Sequence, residues 1–351
     1  MFTSMITDHT RWRLEELAKY LTRRSSVGRW LVLTHDNPDP DSIAAAAVLS
    51  KLLRRGFKRR VTTAYGGMIG RAENQEMVRV LGIKLSHLKH LNWRNYRHFA
   101  LVDTQPRTGN NQLPDGIVPD LVFDHHPMRR ATQDVPFADI RVDYGATATL
   151  LAEYLLANEM GITKRDATAL VYAIRAETQD FGREYAAIDK AVYDYLHPLA
   201  DIRALARIQN PRLPLSYYRI LHQGLRRLES VGTLVVSHLG TVEQPDIVPE
   251  IADLLLRLQG KTWSLCTGVF ADRLYLSIRT TNPRADAGRL MRRLLGRRGK
   301  GGGHGMIAGG WIPLNGGGAS DLENLQNSLA ARLAKYLKKN PDRLAPLIDA
   351  P

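Results

Sequence analysis

The stretch Leu31-Val32-Leu33-Thr34-His35-Asp36-Asn37-Pro38-Asp39-Pro40-Asp41-Ser42-Ile43-Ala44 decides how the chain reads. Trp30 to Leu33 is an apolar run of strand type, and an alanine-rich helical run begins at Ser42. Between them one imidazole, His35, and two carboxylates, Asp39 and Asp41, share a single strand-to-helix turn. At the carboxyl end of a parallel strand such a turn faces the crevice in which open α/β sheets bind ligands. Pro38 and Pro40 stiffen the loop and keep it out of helix until Asp41 or Ser42 can cap the next one. Asp39 and Asp41 repel each other if both are ionised with nothing between them, and a bound divalent cation relieves that repulsion. The plainer alternative is a capped helix behind a polar turn.

The pattern returns twice. Phe99-Ala-Leu-Val102 leads into Asp103-Thr-Gln105, and Leu121-Val-Phe123 leads into Asp124-His125-His126-Pro127. Three apolar strands that each end in acidic or histidine residues are the signature of a parallel sheet whose carboxyl edge is a metal site. Around them, Trp12, Leu14, Leu17, Ala18 and Leu21 have the spacing of an amphipathic helix over 11–24. A helix over 41–55 stops at Gly56, a strand follows over 61–64, and a further helix spans 72–81. Gly66, Gly67 and Gly70 match no phosphate-binding fingerprint and read as plain loop. A helix over 145–156 precedes another over 166–176, which runs into Glu177-Thr-Gln-Asp180, where acidic groups again follow an apolar stretch. Helices over 187–208, broken at Pro198, and over 214–228 complete this half.

Two prolines and weak patterning over 209–214 mark the domain junction. Beyond Gly232 come a strand at 234–236, a helix over 247–258 and a hairpin of 262–270 with 274–279 around Ala271-Asp272. A helix bearing Arg289, Arg292, Arg293, Arg297 and Arg298 leads into the glycine-rich run 301–310, read as a glycine turn around His304, and a last amphipathic helix covers 320–339. The expected fold is α/β. A larger N-terminal domain, 1–210, has a mostly parallel sheet flanked by helices. A connecting helix, 211–230, leads to a smaller C-terminal α/β domain, 231–351, with the active site in the cleft between the two.

A chain of 351 residues suggests about two domains, and 44% hydrophobic with 24% charged residues is ordinary for a globular protein. No run approaches the eighteen or so apolar residues of a membrane helix, and the amino terminus lacks a signal-peptide pattern. A cytoplasmic location and no membrane partner are expected. The single cysteine, Cys266, excludes an internal disulfide and lies in an apolar run, as a structural thiol does. A net charge of +14 favours polyanions, whether nucleic acid, nucleotides or polyphosphate.

The candidate ligands are His35, Asp39, Asp41, Asp103, Asp124, His125, His126, Glu177 and Asp180. Imidazoles and carboxylates without thiolate suit Mn²⁺, with Mg²⁺, Co²⁺ or Zn²⁺ as alternatives. They are too many for one ion. A pair of ions roughly 3.5–4 Å apart would activate a water while holding the entering and leaving oxygens of a phosphoryl displacement.

With these motifs in order, the sequence resembles the DHH phosphoesterases, named for the Asp-His-His that stands here as Asp124-His125-His126. The run Gly302-Gly303-His304 with Ala308-Gly-Gly310 resembles the glycine-rich motif of the associated DHHA1 domain, so the likeness covers roughly 27–337. The resemblance implies that His35, Asp39 and Asp103 hold one Mn²⁺, and that Asp41, Asp103, His125 and Glu177 hold the other. It gives His126 and Asp124 catalytic roles, His126 facing the substrate phosphate or leaving group. Arg279, Gly302, Gly303 and His304 would bind substrate. Two positions depart from the family pattern. Pro40 stands where the opening motif has glycine, and Glu177 begins a fourth motif whose relatives resemble Asp-Thr-Gln-Asp. Glu177 carries one methylene more, which leaves Asp180, three residues on, as an alternative ligand. The implied activity is Mn²⁺-dependent hydrolysis of short oligonucleotides or small nucleotides, similar to the nanoRNase and phosphoadenosine-phosphate phosphatase branch. Alternatives are a cyclic or linear dinucleotide phosphodiesterase and a nucleotide-binding protein with weakened turnover. A homodimer is compatible with the sequence.

Overall fold

Apolar strands and small-residue helices build the first unit in the computed structural model, which describes residues 6–24, 27–182, 184–314, 316 and 318–348. The chain divides into two compact units, 1–211 and 212–351. In the first, the elements run α1 (Asp8–Arg23), β1 (Arg29–Leu33), α2 (Pro40–Lys51), β2 (Arg60–Tyr65), α3 (Ala72–Leu81), β3 (Ser86–His87), β4 (His98–Val102), β5 (Leu121–Asp124), β6 (Phe137–Ile140), α4 (Thr147–Ala157), α5 (Lys164–Glu177), α6 (Ala187–Leu196) and α7 (Ile202–Gln209). All six strands pair in parallel, in the order β3-β2-β1-β4-β5-β6. The chain therefore leaves β1 toward one edge and returns at β4 toward the other. That reversal opens a crevice at the carboxyl ends of β1 and β4, where doubly wound sheets bind ligands.

Helix α2 begins at Pro40, with the Asp39 carboxylate accepting the Ser42 N–H at 2.9 Å as its cap. Ala44, Ala45 and Ala46 are fully buried, and their small side chains let α2 sit in the middle of the core beside α4 and α5. Strand β6 carries buried Asp139, which Arg141 binds through two hydrogen bonds at 3.0 and 2.8 Å. Arg141 also meets Glu153 at 3.2 Å and the hydroxyls of Thr10 and Tyr144. The buried charges are thus matched within one network.

The second unit comprises α8 (Leu215–Arg226), β7 (Leu228–Val231), β8 (Leu234–Thr241), α9 (Ile247–Leu255), β9 (Trp263–Phe270), β10 (Arg273–Thr280), α10 (Ala287–Leu295), β11 (Lys300–His304), β12 (Ile307–Pro313), α11 (Ala319–Tyr336) and β13 (Ala345–Pro346). Its sheet has the order β11-β12-β10-β9-β8-β7-β13 and is antiparallel except between β8 and β9. Alternation assigns the faces. Val235 and Cys266 pack with Ile220 of α8 and Ile251 of α9, while Val236 and Leu265 pack with Met291 of α10 and Leu333 of α11. The segment 211–230, expected to connect the domains, thus contributes its helix to the second unit's core. Cys266 is fully buried, which pushes its thiol pKa well up.

The glycine run differs from its reading as a turn. Gly301, Gly302 and Gly303 lie in edge strand β11, paired with β12. The reason is packing: a Cβ on Gly288 of α10 would stand 1.9 Å from the Gly303 carbonyl, so helix and strand meet backbone to backbone. Among the described residues, no helix is long and apolar enough to cross a membrane.

Candidate metal centre

Three strand ends deliver the side chains. His35 and Asp39 follow β1, Asp103 follows β4, and Asp124, His125 and His126 end β5. Asp103 adopts φ 58°, a left-handed conformation that Asp tolerates better than most residues and that turns the chain as it leaves β4. His35 Nε2 lies 3.6 Å from Asp39 Oδ1 and 3.5 Å from Asp103 Oδ2. On the other side of the same carboxylate, Asp103 Oδ1 lies 3.7 Å from His125 Nε2 and 3.7 Å from His126 Nδ1. Two groups with metal-ligand spacing therefore share Asp103: His35 with Asp39, and His125 with His126.

The imidazoles are held by their far nitrogens. His35 Nδ1 pairs with the Asp36 carbonyl at 2.8 Å, and His125 Nδ1 with the Tyr144 carbonyl at 3.0 Å. Donation from Nδ1–H to a carbonyl leaves each Nε2 lone pair for a metal. His125 Nε2 is buried without a hydrogen-bond partner. An orphaned nitrogen 3.7 Å from one carboxylate oxygen and 3.9 Å from another, Asp41 Oδ2, fits a bound cation.

Asp41 is fully buried, and both of its oxygens accept N–H groups from the start of α4, Thr147 at 2.8 Å and Ala148 at 2.6 Å. Burial, and then Asp103, Glu177 and Asp39, push its pKa well above the carboxylate range. Burial and the neighbouring Asp103 and Glu177 carboxylates also act on His125, burial lowering its pKa and the charges raising it to a net upward shift. Glu177, the last residue of α5, thus contributes charge at the same place. For His35, burial opposes protonation, yet Asp39 and Asp103 outweigh it and the pKa stands well above the usual value. Asp39 is lowered: burial raises it, and His35 and the Ser42 N–H more than offset that. The upward shifts of Asp41, His35 and His125 favour the protonated forms of these groups.

Metal uptake must therefore displace protons, because a ligating carboxylate is ionised and a ligating histidine neutral. Mn²⁺ affinity is expected to rise with pH for as long as these groups remain protonated, by roughly tenfold per unit for each proton displaced. Calorimetric titration in buffers of different ionisation enthalpy checks this, and an affinity independent of pH would contradict it.

Asp124 and Gln105 organise the rest. Asp124 Oδ1 accepts the N–H groups of His125 (2.8 Å) and His126 (3.2 Å) and the Nδ1–H of His126 (2.9 Å). Its Oδ2 accepts from Gln105 Nε2 at 2.7 Å. Asp124 therefore orients His126, whose side chain is 43% exposed. Burial lowers the His126 pKa, but Asp124 and Asp103 raise it on balance. Sequence reasoning missed Gln105, although it sits in the Asp103-Thr-Gln run. Its buried amide also donates to the carbonyls of His126 and Pro127 and accepts from Arg129 N–H and Thr132 Oγ1, both at 2.7 Å.

Other expected residues fall elsewhere. Asp180 pairs with Arg175 and is 67% exposed. A reach from Glu177 to Asp180 requires a continuing helix, but α5 ends at Glu177, and Gln179, Asp180 and Phe181 wind through left-handed conformations. Arg279 Nε meets Asp253 at 2.8 Å, and its Nη1 reaches the carbonyls of Ile278 and Ala308. Gly302 is open, with only Arg292 Nη1, 4.0 Å away, near the place of a Cβ. The side chain of His304 lies outside the described residues.

Residues 29–174 match the family model described as DHH family, N-terminal domain, and residues 232–337 match that of the DHHA1 domain. An uncharacterized protein of Methanocaldococcus jannaschii is 34% identical over 287 residues, 81% of this chain, which spans 58% of that relative's length. Among solved structures, an exopolyphosphatase-related protein from Bacteroides fragilis superposes with a TM-score of 0.70 at 14% identity, covering 92% of this chain and 96% of that one. RecJ in complex with Mn²⁺, from Thermus thermophilus, gives a TM-score of 0.53 at 16% identity, covering 94% of this chain and 55% of that one. These two likenesses establish the fold.

Proposed function

The chain belongs to the DHH family through residues 29–174 and carries a DHHA1 domain at 232–337, and from that premise we propose that it is a divalent-metal-dependent phosphoesterase acting on short oligonucleotides or small nucleotides. The carrying observation is the convergence on Asp103 of His35 with Asp39 on one side and His125 with His126 on the other. In this reading His35, Asp39 and Asp103 hold one Mn²⁺, and Asp103, His125, Asp41 and Glu177 hold a second. When bound, the ions supply Lewis-acid stabilisation of phosphoryl charge and a nucleophilic water near neutral pH. His126 acts as general acid. Asp124 anchors its Nδ1–H at 2.9 Å and favours the imidazolium, whose Nε2–H delivers a proton to the leaving oxygen. In the DHHA1 domain, the open backbone at Gly302 and the Arg292 guanidinium offer donors to substrate phosphate, and Gly303, His304 and Arg279 complete the proposed binding set.

Mn²⁺-dependent cleavage of di- to penta-nucleotides, abolished by EDTA, is the direct test. Binding of these nucleotides without turnover would identify a nucleotide-binding protein instead. Glu177→Gln keeps the length of the side chain and removes its charge, so the weaker of two Mn²⁺ binding steps is expected to lose roughly tenfold to hundredfold in affinity while the tighter step stays. Titration of both proteins with Mn²⁺ reads this, and two unaltered steps would remove Glu177 from the ligand set.

A further inference from the structure

Beside the histidine pair, the first unit has a cleft of about 690 Å³ lined by Pro106, Arg107, Thr108, Arg129, Arg130 and Ala131, with Asp134 at its wall. This volume lies within the roughly 300–1,000 Å³ of small-molecule sites. Both walls continue ligand-bearing segments: Arg107 comes four residues after Asp103, and Arg129 three after His126. Gln105 ties the walls together, because one buried amide touches Asp124, the His126 carbonyl and the Arg129 N–H. The arginine-bearing wall is therefore fixed relative to His126 by hydrogen bonds that do not involve the arginine side chains.

The lining holds three guanidiniums against one carboxylate. Arg107 gives one N–H to the Asp115 carbonyl at 3.2 Å, which leaves most of its five donors for a ligand. Arg129 and Arg130 are exposed, and among the described residues neither guanidinium has an ion-pair partner. Arginines lining a concave surface suit a phosphate, whose oxygens accept paired N–H donors. We infer that this cleft binds a second phosphate of the substrate, distinct from the phosphate being cleaved. The inference rests on the phosphoesterase reading for its placement of the scissile phosphate, and the Arg107, Arg129 and Arg130 cluster sets specificity without taking part in the bond-breaking step.

The test compares the dinucleotide ApA with its phosphorylated forms pApA and ApAp, using the full chain and its Arg129→Ala/Arg130→Ala variant. Two quantities are measured: kcat/KM with Mn²⁺, and dissociation constants in EDTA. The wild type is expected to favour one phosphorylated form over ApA by about tenfold or more, mainly through KM, and the double variant to lose most of that preference. The same difference is expected in EDTA, where no turnover intervenes. A preference that survives both substitutions, or a wild type with none in either measurement, overturns the subsite. Absence of turnover on all three compounds would refute the phosphoesterase reading alone, and the binding preference in EDTA would then decide the subsite. Both side chains are exposed, so thermal melting of the variant should match the wild type and separate a binding effect from misfolding.

Discussion

Replacing Asp103 with asparagine is expected to lower Mn²⁺-dependent hydrolysis by about three orders of magnitude or more, because in the proposed centre one carboxylate serves both halves. Its Oδ2 faces His35 and its Oδ1 faces His125 and His126. Asparagine is the informative substitution. Asp103 sits at φ 58°, where alanine would add backbone strain and asparagine adds little. The amide also keeps the shape that accepts the Thr147 hydroxyl, 2.9 Å away in the native protein. A folded Asp103→Asn protein with normal turnover would remove the shared carboxylate from the account. Loss of activity with both Mn²⁺ sites intact by titration would place Asp103 in substrate binding instead.

The largest expected effect on stability lies behind the site. Arg141 is only 7% exposed, and it faces Asp139 and Glu153 inside the first unit. Truncation to alanine leaves buried Glu153 without its cation and Asp139 with only Arg13, 3.9 Å away, which is expected to cost about 3–5 kcal/mol. The carboxylates can relieve part of this by taking up protons, so the destabilisation should shrink as pH falls. The loss also reaches the metal centre. Arg141 donates to the Tyr144 hydroxyl at 2.8 Å, and the Tyr144 carbonyl anchors His125 Nδ1. Burial and Glu153 together push the Tyr144 phenol up to about 12, so it remains a donor to Glu153 throughout the working range. Urea unfolding of Arg141→Ala measures the cost, and a change below about 1 kcal/mol would show that the network contributes little.

The parallel sheet was legible because β1, β4 and β5 are short apolar runs that stop abruptly at charged residues, and that stop is also where the candidate ligands stand. Strand β6 escaped the same reading. Its Asp139 is buried, and Arg141 directly beyond it interrupts any apolar pattern; only the fold supplies the ion pairs that make burial tolerable. Edge strand β11 escaped because glycines carry no periodicity, and their role, close approach to α10, depends on a helix that the local sequence does not announce as a neighbour. Residue types singled out His35, Asp39, Asp103, His125 and His126, which the fold brings together. They could not identify Gln105, whose amide works through Asp124, His126, Pro127, Arg129 and Thr132, all distant from it in sequence. Nor could spacing settle Asp180, because the end of a helix decides whether residues three apart share a face.

A centre organised around Asp103 requires two bound ions that are coupled to each other. Titrating the metal-free chain with Mn²⁺ and following the electron paramagnetic resonance spectrum should give two ions per chain. At saturation they should show the exchange coupling of a pair sharing a carboxylate, and Asp103→Asn should abolish that coupling. A wild-type chain that saturates with one Mn²⁺, or that binds two with the spectra of isolated ions, would contradict a centre organised around Asp103.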